Sequence, residues 1–323
     1  MSTGSRKPAA GFTTGGFFLI ALLLLSGCVH TYRQQLERLL AANLPSKQEI
    51  TRTPFFPQER YQCGPAALAT SLKYTGVDTS AQQLVPQVYV PAREGSLQTE
   101  MLAATRRHDR VAYVITPTLE VLLREVSSGT PVLVLQNLGL NWYPKWHYAV
   151  VVGYDLVEQN VVLRSGTMER RVIPISLFDR TWRRSNRWAI VVVRPGAVPV
   201  TAKETDYLKT ILPFEQQGRW QIANTAYRAA LARWPHSLGA TMGAGNTYYQ
   251  LGKKSDAERA YRAALTIDTN HAPAQNNLAQ VLLEKNKLKE ARAHAQQAVA
   301  LGGPMRSSYE KTLMEIELIM KQR

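Results

Sequence analysis

Cys63 is the residue of this chain whose type and setting most directly indicate chemistry. It stands in the segment Gln-Glu-Arg-Tyr-Gln-Cys-Gly-Pro, residues 58–65, directly ahead of a helix-like run at 66–74. The free N–H groups and the positive end of the dipole at a helix N-terminus favour a thiolate over a thiol. The position therefore predicts a nucleophilic cysteine, and the alternative is a small buried apolar residue.

His147 is the histidine best placed to serve such a nucleophile. Hydrolysis by a thiol needs an imidazole that takes and returns a proton, and donors for the oxyanion. His147 begins an apolar strand-like run, residues 147–155, so the sheet can hold one edge of its ring while the other faces a cleft. Other histidines stand in poorer settings, near the N-terminal signal, a helix end or the C-terminal repeats: His30, His108, His236 and His271.

Gln58 lies five residues before Cys63 and supplies a candidate oxyanion donor. Its amide N–H can point at the carbonyl oxygen under attack, together with the backbone N–H of Cys63. Gln62, by contrast, is predicted to be an ordinary polar surface residue.

The N-terminal segment, which ends at Cys28, predicts export and lipidation. Arg6 and Lys7 precede a nine-residue apolar run, Phe17–Leu25, which is the layout of a secretory signal. The run is too short for a permanent membrane helix, which needs about 20 residues. Leu-Ser-Gly-Cys, residues 25–28, resembles the bacterial lipobox, which implies acylation of Cys28 and cleavage before it. The alternative is an ordinary or uncleaved secretory signal.

The residue after Cys28 bears on the compartment. It is Val29, so no Asp indicates inner-membrane retention, and we expect an outer-membrane anchor facing the periplasm. The membrane is then a partner through lipidated Cys28. The chain has two cysteines, so Cys63 would be free, with no disulfide within the chain. A lone thiol in an oxidising envelope favours a catalytic use.

Charge and motifs exclude several classes of function. The formal net charge of +15 favours contact with anionic surfaces such as lipid headgroups or lipopolysaccharide. Nucleic acid is not an expected partner, because the basic residues are scattered and no DNA-binding motif is present. Neither metal-ligand spacings nor a glycine-rich phosphate loop occur, so we expect neither a metal nor another cofactor.

The length of 323 residues predicts about two domains. We assign a signal peptide, a tether, a first domain, a linker and a helical region, at 1–27, 28–50, 51–197, 198–203 and 204–323. In the first domain we expect helices at 66–74, 96–108 and 119–126. We expect strands at 111–115, 131–136, 147–155, 161–164 and 188–193. Helices followed by antiparallel strands, with a hairpin turn at 158–160, indicate an α+β fold.

The C-terminal region repeats with a period of about 34 residues. Gly218, Gly252 and Asn286 share one phase and are expected to end the first helix of each hairpin with a positive φ. Small residues and tyrosines recur in other phases: Ala223, Ala257 and Ala291; Tyr227 and Tyr261, with Ala295 in the third copy; Ala230, Ala264 and Ala298. The pattern resembles the tetratricopeptide repeat in three copies, followed by a final helix near 307–321. Such arrays present a concave surface for protein partners, and the alternative is a role in stability or oligomerisation only.

The first domain resembles a peptidase family. The run Gln58-x4-Cys63-Gly-Pro-Ala-Ala-Leu-Ala is followed, further along the chain, by His147-Tyr-Ala-Val-Val-Val-Gly-Tyr-Asp155. Residues 51–197 are similar to the papain-like, bacteriocin-processing cysteine peptidases of family thirty-nine. The resemblance implies that Cys63 is the nucleophile, His147 the general base and acid, and Gln58 part of the oxyanion hole. No transporter domain accompanies it here, so cleavage of double-glycine leaders is not expected.

The chain departs from this family at the residue that orients the imidazole. The family usually has Asp on the strand after the histidine's strand, where this sequence reads Val-Val-Leu-Arg-Ser-Gly, residues 161–166. Ser165 could accept the ring N–H but would stabilise an imidazolium less than a carboxylate does. Asp155 is the second candidate, although eight extended residues put it about 26 Å from His147.

The sequence thus predicts a lipid-anchored periplasmic cysteine peptidase that acts on a peptide or protein substrate. Its repeats would recruit that substrate or a protein partner. The atypical residue at 165 leaves an alternative, a non-catalytic scaffold on the outer membrane that keeps a degenerate peptidase domain. Other thiol chemistry at the same site, such as acyl transfer or amide hydrolysis on a cell-wall peptide, is a third reading.

Overall fold

The computed structural model describes residues 43–58 and 62–322. Cys28, the signal segment and most of the expected tether lie outside these residues. The first domain contains nine strands: β1 Lys47–Glu49, β2 Tyr89–Val90, β3 Gly95–Ser96, β4 Val111–Val114, β5 Val132–Asn137, β6 Trp146–Asp155, β7 Asn160–Ser165, β8 Met168–Pro174 and β9 Ala189–Val193. Its α-helices are α1 Cys63–Tyr74, α2 Ala81–Val88, α3 Gln98–Arg107, α4 Leu119–Ser127 and α5 Ile175–Arg183.

One antiparallel sheet organises the domain, in the order β4-β9-β5-β6-β7-β8. β6 is its longest strand and pairs with β5 along its first half and with β7 along its second. β1 pairs with the far end of β6, where Glu49 lies opposite Gly153. A Cβ atom on Gly153 would lie 2.7 Å from the carbonyl oxygen of Gln48, so this approach requires glycine.

Helix α1 packs on one face of the sheet and forms the core with it. α1 is buried from Gly64 to Leu72, and the central strands β5 and β6 are buried at successive positions, so both of their faces belong to the interior. Small alanines let the helix approach the strands closely, while leucines fill the space between. The buried cluster includes Ala66, Ala69, Leu68 and Leu72 of α1 and Leu133, Tyr148, Val150 and Val152 of the sheet. Each fully buried leucine contributes about 1.5–3 kcal/mol.

The expected α+β class is confirmed, with several elements that the sequence pattern did not indicate. The helix expected at 96–108 begins two residues later, as α3. Helix α2 was missed because Pro86 interrupts its pattern, although the capping box of Ser80 and Gln83 marks its start. β8 was missed because its charged residues resemble a solvated loop, yet they suit an exposed edge strand. Residues 47–49, assigned to the tether, form β1 of the sheet.

Seven helices follow: α6 Glu204–Gln216, α7 Trp220–Arg233, α8 Leu238–Gln250, α9 Lys254–Ile267, α10 Ala272–Glu284, α11 Leu288–Leu301 and α12 Arg306–Lys321. The expected positive φ angles occur, at +68° for Gly218, +72° for Gly252 and +61° for Asn286. The recurring alanines are all fully buried: Ala223, Ala257, Ala291, Ala230, Ala264 and Ala298. The helical array therefore has the repeat architecture expected from the period.

The tyrosines of the repeat pack against glycines of α8. A Cβ atom on Gly243 would lie 2.5 Å from Tyr227 Cε1, and one on Gly245 would lie 2.6 Å from Tyr261 Cε1. Gly243 thus lets Tyr227 of α7 fill the gap to the next hairpin, as the sequence pattern predicts. Gly245 lets Tyr261 of α9 pack against α8 of its own hairpin.

The repeats contact the first domain directly, within one compact unit that begins at Lys47. The buried Glu125 of α4 accepts hydrogen bonds from the backbone N–H of Thr201 at 2.8 Å and from its hydroxyl at 2.5 Å. Tyr113 of β4 accepts the N–H of Lys203 at 3.0 Å, and Arg219 forms an ion pair with Asp109. Among the described residues, no helix is both long enough and apolar enough to cross a membrane.

Candidate active site

Cys63 is the first residue of α1 and is half-buried. Burial raises the pKa of its thiol, and this effect exceeds the opposing one of the backbone N–H groups of Tyr148, Gly64 and Cys63 itself, which favour the thiolate. The helix N-terminus alone led us to expect a thiolate. In the folded domain desolvation is the larger effect, so the resting sulfur is a neutral thiol.

His147 is the second residue of β6, and its ring lies against β7. Its Nε2 atom is 2.8 Å from Oγ of Ser165. Burial lowers the pKa of His147 to about 4, and the positive charge of Arg171 acts in the same direction. The imidazole is therefore neutral at physiological pH. A neutral imidazole has one acceptor nitrogen and can take a proton.

The backbone N–H and C=O of Tyr148 bring the other site residues together. Its N–H donates to Cys63 Sγ, and its carbonyl oxygen accepts from Gln58 Nε2 at 3.4 Å. Since Tyr148 follows His147 directly in β6, the thiol and the Gln58 amide both lie beside the histidine's strand. Burial raises the pKa of the Tyr148 hydroxyl, and the negative charge of a Cys63 thiolate would act in the same direction.

Gln58 is held at both its backbone and its side chain. Its N–H donates to the carbonyl oxygen of Gly166 at 3.0 Å, in the turn that follows Ser165. Its Oε1 atom is buried and has no hydrogen-bond partner among the described residues. The long contact of Nε2 with Tyr148 therefore leaves an amide that can turn toward a substrate carbonyl.

The structure separates the two candidates for the orienting residue. Ser165, the last residue of β7, is 1% exposed and touches the His147 ring. Asp155 lies at the opposite end of β6, where it pairs with Lys47 at 3.1 Å and accepts the N–H groups of Val157 and Glu158. It is not brought to His147, in agreement with the strand-length argument.

One further residue at the site, Ser96, was missed by the sequence analysis. A Cβ atom on Gly64 would lie 2.5 Å from Cβ of Ser96, so glycine lets β3 approach the N-terminus of α1. Ser96 accepts a hydrogen bond from the Tyr148 hydroxyl at 3.1 Å through its carbonyl oxygen. Its own hydroxyl oxygen is buried without a partner among the described residues. Only the glycine after Cys63 offered a sequence signal for this contact.

The loop between β5 and β6, together with the first residue of β6, presents exposed apolar side chains just ahead of His147 in the chain: Leu138, Leu140, Trp142, Tyr143 and Trp146. Hydrogen bonds define its conformation. Asn137 Oδ1 accepts the N–H groups of Gly139 and Lys145, each at 2.9 Å. An ordered apolar loop thus borders the candidate site.

A second concave feature is a groove of about 450 Å³ in the repeats. We call it the amide groove, because amide side chains of α6, α8 and α10 line it: Gln216, Asn246, Gln250, Asn276, Asn277 and Gln280. The remaining lining residues are Glu215, Trp220, Tyr249 and Tyr261.

Metal chemistry has no evident site in the described part of the chain. No group of three or more His, Cys, Asp or Glu side chains there is arranged to hold a metal ion.

Comparison with known proteins agrees with this architecture. Residues 50–190 match the model of the peptidase C39-like family, and residues 214–272 and 244–305 match the tetratricopeptide repeat. The chain therefore contains a peptidase C39-like domain followed by tetratricopeptide repeats. No curated protein matches the chain.

Solved structures similar to the chain fall into two groups. A putative C39-like peptidase from Bacillus anthracis is 19% identical over 46% of this chain and 98% of its own, with a TM-score of 0.38. The translocator chaperone SycD of Yersinia enterocolitica, in complex with a peptide of YopD, is 18% identical over 37% and 97%, with a TM-score of 0.35. PilF of Pseudomonas aeruginosa is 28% identical over 36% and 54%, with a TM-score of 0.35.

Proposed function

We propose that the chain is a cysteine peptidase in which Cys63 and His147 hydrolyse a peptide bond. The observation that carries the proposal is the backbone of Tyr148, one residue beyond His147, which contacts Cys63 through its N–H and Gln58 through its carbonyl oxygen. The match of residues 50–190 to the peptidase C39-like family supports it independently.

The protonation states favour a general-base mechanism. Burial raises the pKa of Cys63 and lowers that of His147, so both the thiol and the imidazole are neutral before the reaction. With Nε2–H donating to Ser165, Nδ1 takes the Sγ proton as sulfur attacks the substrate carbonyl carbon. The resulting imidazolium then protonates the leaving amine, and water releases the acyl group from Cys63 with the same base.

Oxyanion stabilisation comes from two donors. The Cys63 N–H belongs to the first turn of α1 and has no partner within the helix. Gln58 Nε2 is the second donor, once it exchanges its 3.4 Å contact with Tyr148 for the substrate oxygen. Such donors strengthen as charge develops on oxygen in the transition state.

The remaining parts of the proposal concern recruitment and location. The amide groove of the repeats would bind the substrate or a protein partner. Acylation of Cys28 would anchor the chain to the outer membrane, facing the periplasm. Metabolic labelling with an alkyne fatty acid, in the wild type and in Cys28→Ser, tests that anchor.

The lack of a carboxylate beside His147, among the described residues, favours a second function. Ser165 stands where a carboxylate would stabilise the imidazolium, and burial opposes charge on both reacting groups. The alternative is therefore a protein-binding scaffold with a degenerate site.

Release of peptides from labelled casein separates the two functions. If the chain is a peptidase, the wild type releases peptides and Cys63→Ser releases none. The near-ultraviolet circular dichroism spectrum of Cys63→Ser should match that of the wild type, which shows that the variant is folded. Equal release by both proteins removes the peptidase assignment, and the absence of release by either favours the scaffold.

A further inference from the structure

We propose that the amide groove binds an extended peptide and that Glu215 receives a lysine or arginine side chain of that peptide. The inference rests on the proposed recruiting role of the repeats, and it adds the chemical class of the partner. It follows from which polar atoms of the groove lack partners.

Glu215 is the only charged residue among the ten that line the groove. Its Oε1 atom is buried without a hydrogen-bond partner among the described residues, and no ion pair within that part of the chain involves it. Burial raises the pKa of this carboxyl, although a hydrogen bond from Tyr227 opposes the effect. A buried acceptor without a donor is costly, so a bound cation that donates to it is favourable.

The asparagines of the groove form a network that fixes their orientation. Asn246 Oδ1 accepts from the Tyr261 hydroxyl at 2.9 Å and from Asn277 Nδ2 at 3.1 Å. Asn276 Nδ2 donates to Asn277 Oδ1 at 3.4 Å. This arrangement leaves Asn276 Oδ1 buried and without a partner in the described part of the chain. A ligand that offers a neutral N–H satisfies this second acceptor.

An extended peptide with a basic side chain meets both requirements. Its backbone offers N–H groups to Asn276, and its cation offers charged donors to Glu215. Trp220, which lines the same groove, adds an aromatic face of the kind that attracts cations. An acidic peptide lacks a counter-charge here, because no lysine or arginine lines the groove.

Selection from phage-displayed random heptapeptides tests this ligand class. The bait is the full chain carrying Cys63→Ala, so that no peptide is hydrolysed. We expect enrichment of Lys or Arg at one position. Glu215→Gln in the same chain should abolish this preference, whereas Glu310→Gln, the same change outside the groove, should keep it. A selected peptide should bind roughly tenfold or more weakly when norleucine replaces its basic residue, and this difference should vanish in Glu215→Gln.

The outcomes separate this inference from the proposed function. Two results overturn the role of Glu215 while leaving recruitment by the repeats intact. One is a set of enriched peptides without a preference for Lys or Arg, and the other is the same preference when Glu215→Gln is the bait. Failure to enrich any peptide overturns both the inference and that recruiting role. Neither result bears on hydrolysis by Cys63.

Discussion

His147 and Ser165 form a hydrogen bond between neighbouring strands, with Nε2 2.8 Å from Oγ. The contact orients the imidazole on β6, and in the proposed mechanism Nδ1 is the ring nitrogen that exchanges a proton with Cys63. A hydroxyl is neutral, so it orients the ring without adding a charge that would stabilise the imidazolium. Burial of the ring also disfavours the imidazolium, since it lowers the pKa of His147 to about 4.

Removing the Ser165 hydroxyl should slow catalysis through the orientation of the ring. In Ser165→Ala we expect kcat to fall about tenfold or more, because Nε2–H loses its acceptor. In Ser165→Asp the carboxylate should raise the pKa of His147 above its value of about 4. NMR titration of the His147 ring measures this shift. An unchanged kcat in Ser165→Ala would show that another group orients the imidazole.

The pH dependence of Cys63 should be that of a buried neutral thiol. Its pKa is raised by burial, so the thiolate fraction is small at neutral pH and grows as the pH rises beyond the range of ordinary thiols. Alkylation by iodoacetamide should therefore be slow at pH 7 and accelerate continuously into alkaline solution. Mass spectrometry of the Cys63 peptide follows the rate. A fast plateau that begins in acidic solution would indicate a thiolate–imidazolium pair instead.

The acid limb of hydrolysis should report His147. The general base must be neutral, and burial keeps it neutral down to about pH 4. We expect kcat/KM to hold on acidification until the pH approaches that value and then to fall as the ring is protonated. A midpoint near the ordinary histidine pKa of about 6.5 would contradict the burial effect.

Truncation of Gln58 should affect the transition state more than the thiol. We expect Gln58→Ala to lower kcat by roughly 100-fold, as loss of one oxyanion donor does, while alkylation of Cys63 stays at the wild-type rate. Gln62→Ala is the matched control, because it removes the same kind of side-chain amide from the residue next to Cys63. Equal losses in the two variants would remove Gln58 from the oxyanion hole.

The close approach of Gly64 and Ser96 should be visible as coupling between two substitutions. Gly64→Ala places a Cβ atom 2.5 Å from Cβ of Ser96, so β3 or the start of α1 must shift. We expect a loss of about 1–3 kcal/mol in the free energy of unfolding, together with reduced activity. Adding Ser96→Gly removes the clash and should restore most of both. Denaturant unfolding of the four proteins in this cycle measures the coupling, and simple additivity would refute the contact.

Much of the fold followed from periodicity. The strands of the sheet and the helical repeat were evident because buried positions recur with fixed spacing. α2 was not predicted because Pro86 interrupts the pattern of a short helix. β8 was not predicted because the charged residues of an edge strand hide its alternation. β1 escaped because so short a strand carries too little periodicity to be distinguished from a tether.

The places of Cys63 and His147 in the fold were predictable from the sequence, but the directions of their pKa shifts were not. Cys63 and His147 stand at a helix start and a strand start, which local sequence indicates. Their pKa values depend on how deeply the folded domain buries them, and this depth depends on contacts distant in sequence. The position of Ser96 near Gly64 had no signal of its own, because the two residues are far apart in the chain and only the fold brings them together.

The central claim is that Cys63 and His147 act as one catalytic pair, and reaction with a panel of peptidyl acyloxymethyl ketones tests it most directly. These weak electrophiles depend on catalytic assistance, whereas iodoacetamide alkylates any accessible thiolate. We expect at least one ketone to modify Cys63 in the wild type and none to modify it in His147→Ala, while iodoacetamide labels both. Equal ketone labelling of the two proteins would contradict the pairing of Cys63 with His147. So would a wild-type protein that iodoacetamide labels but no ketone does.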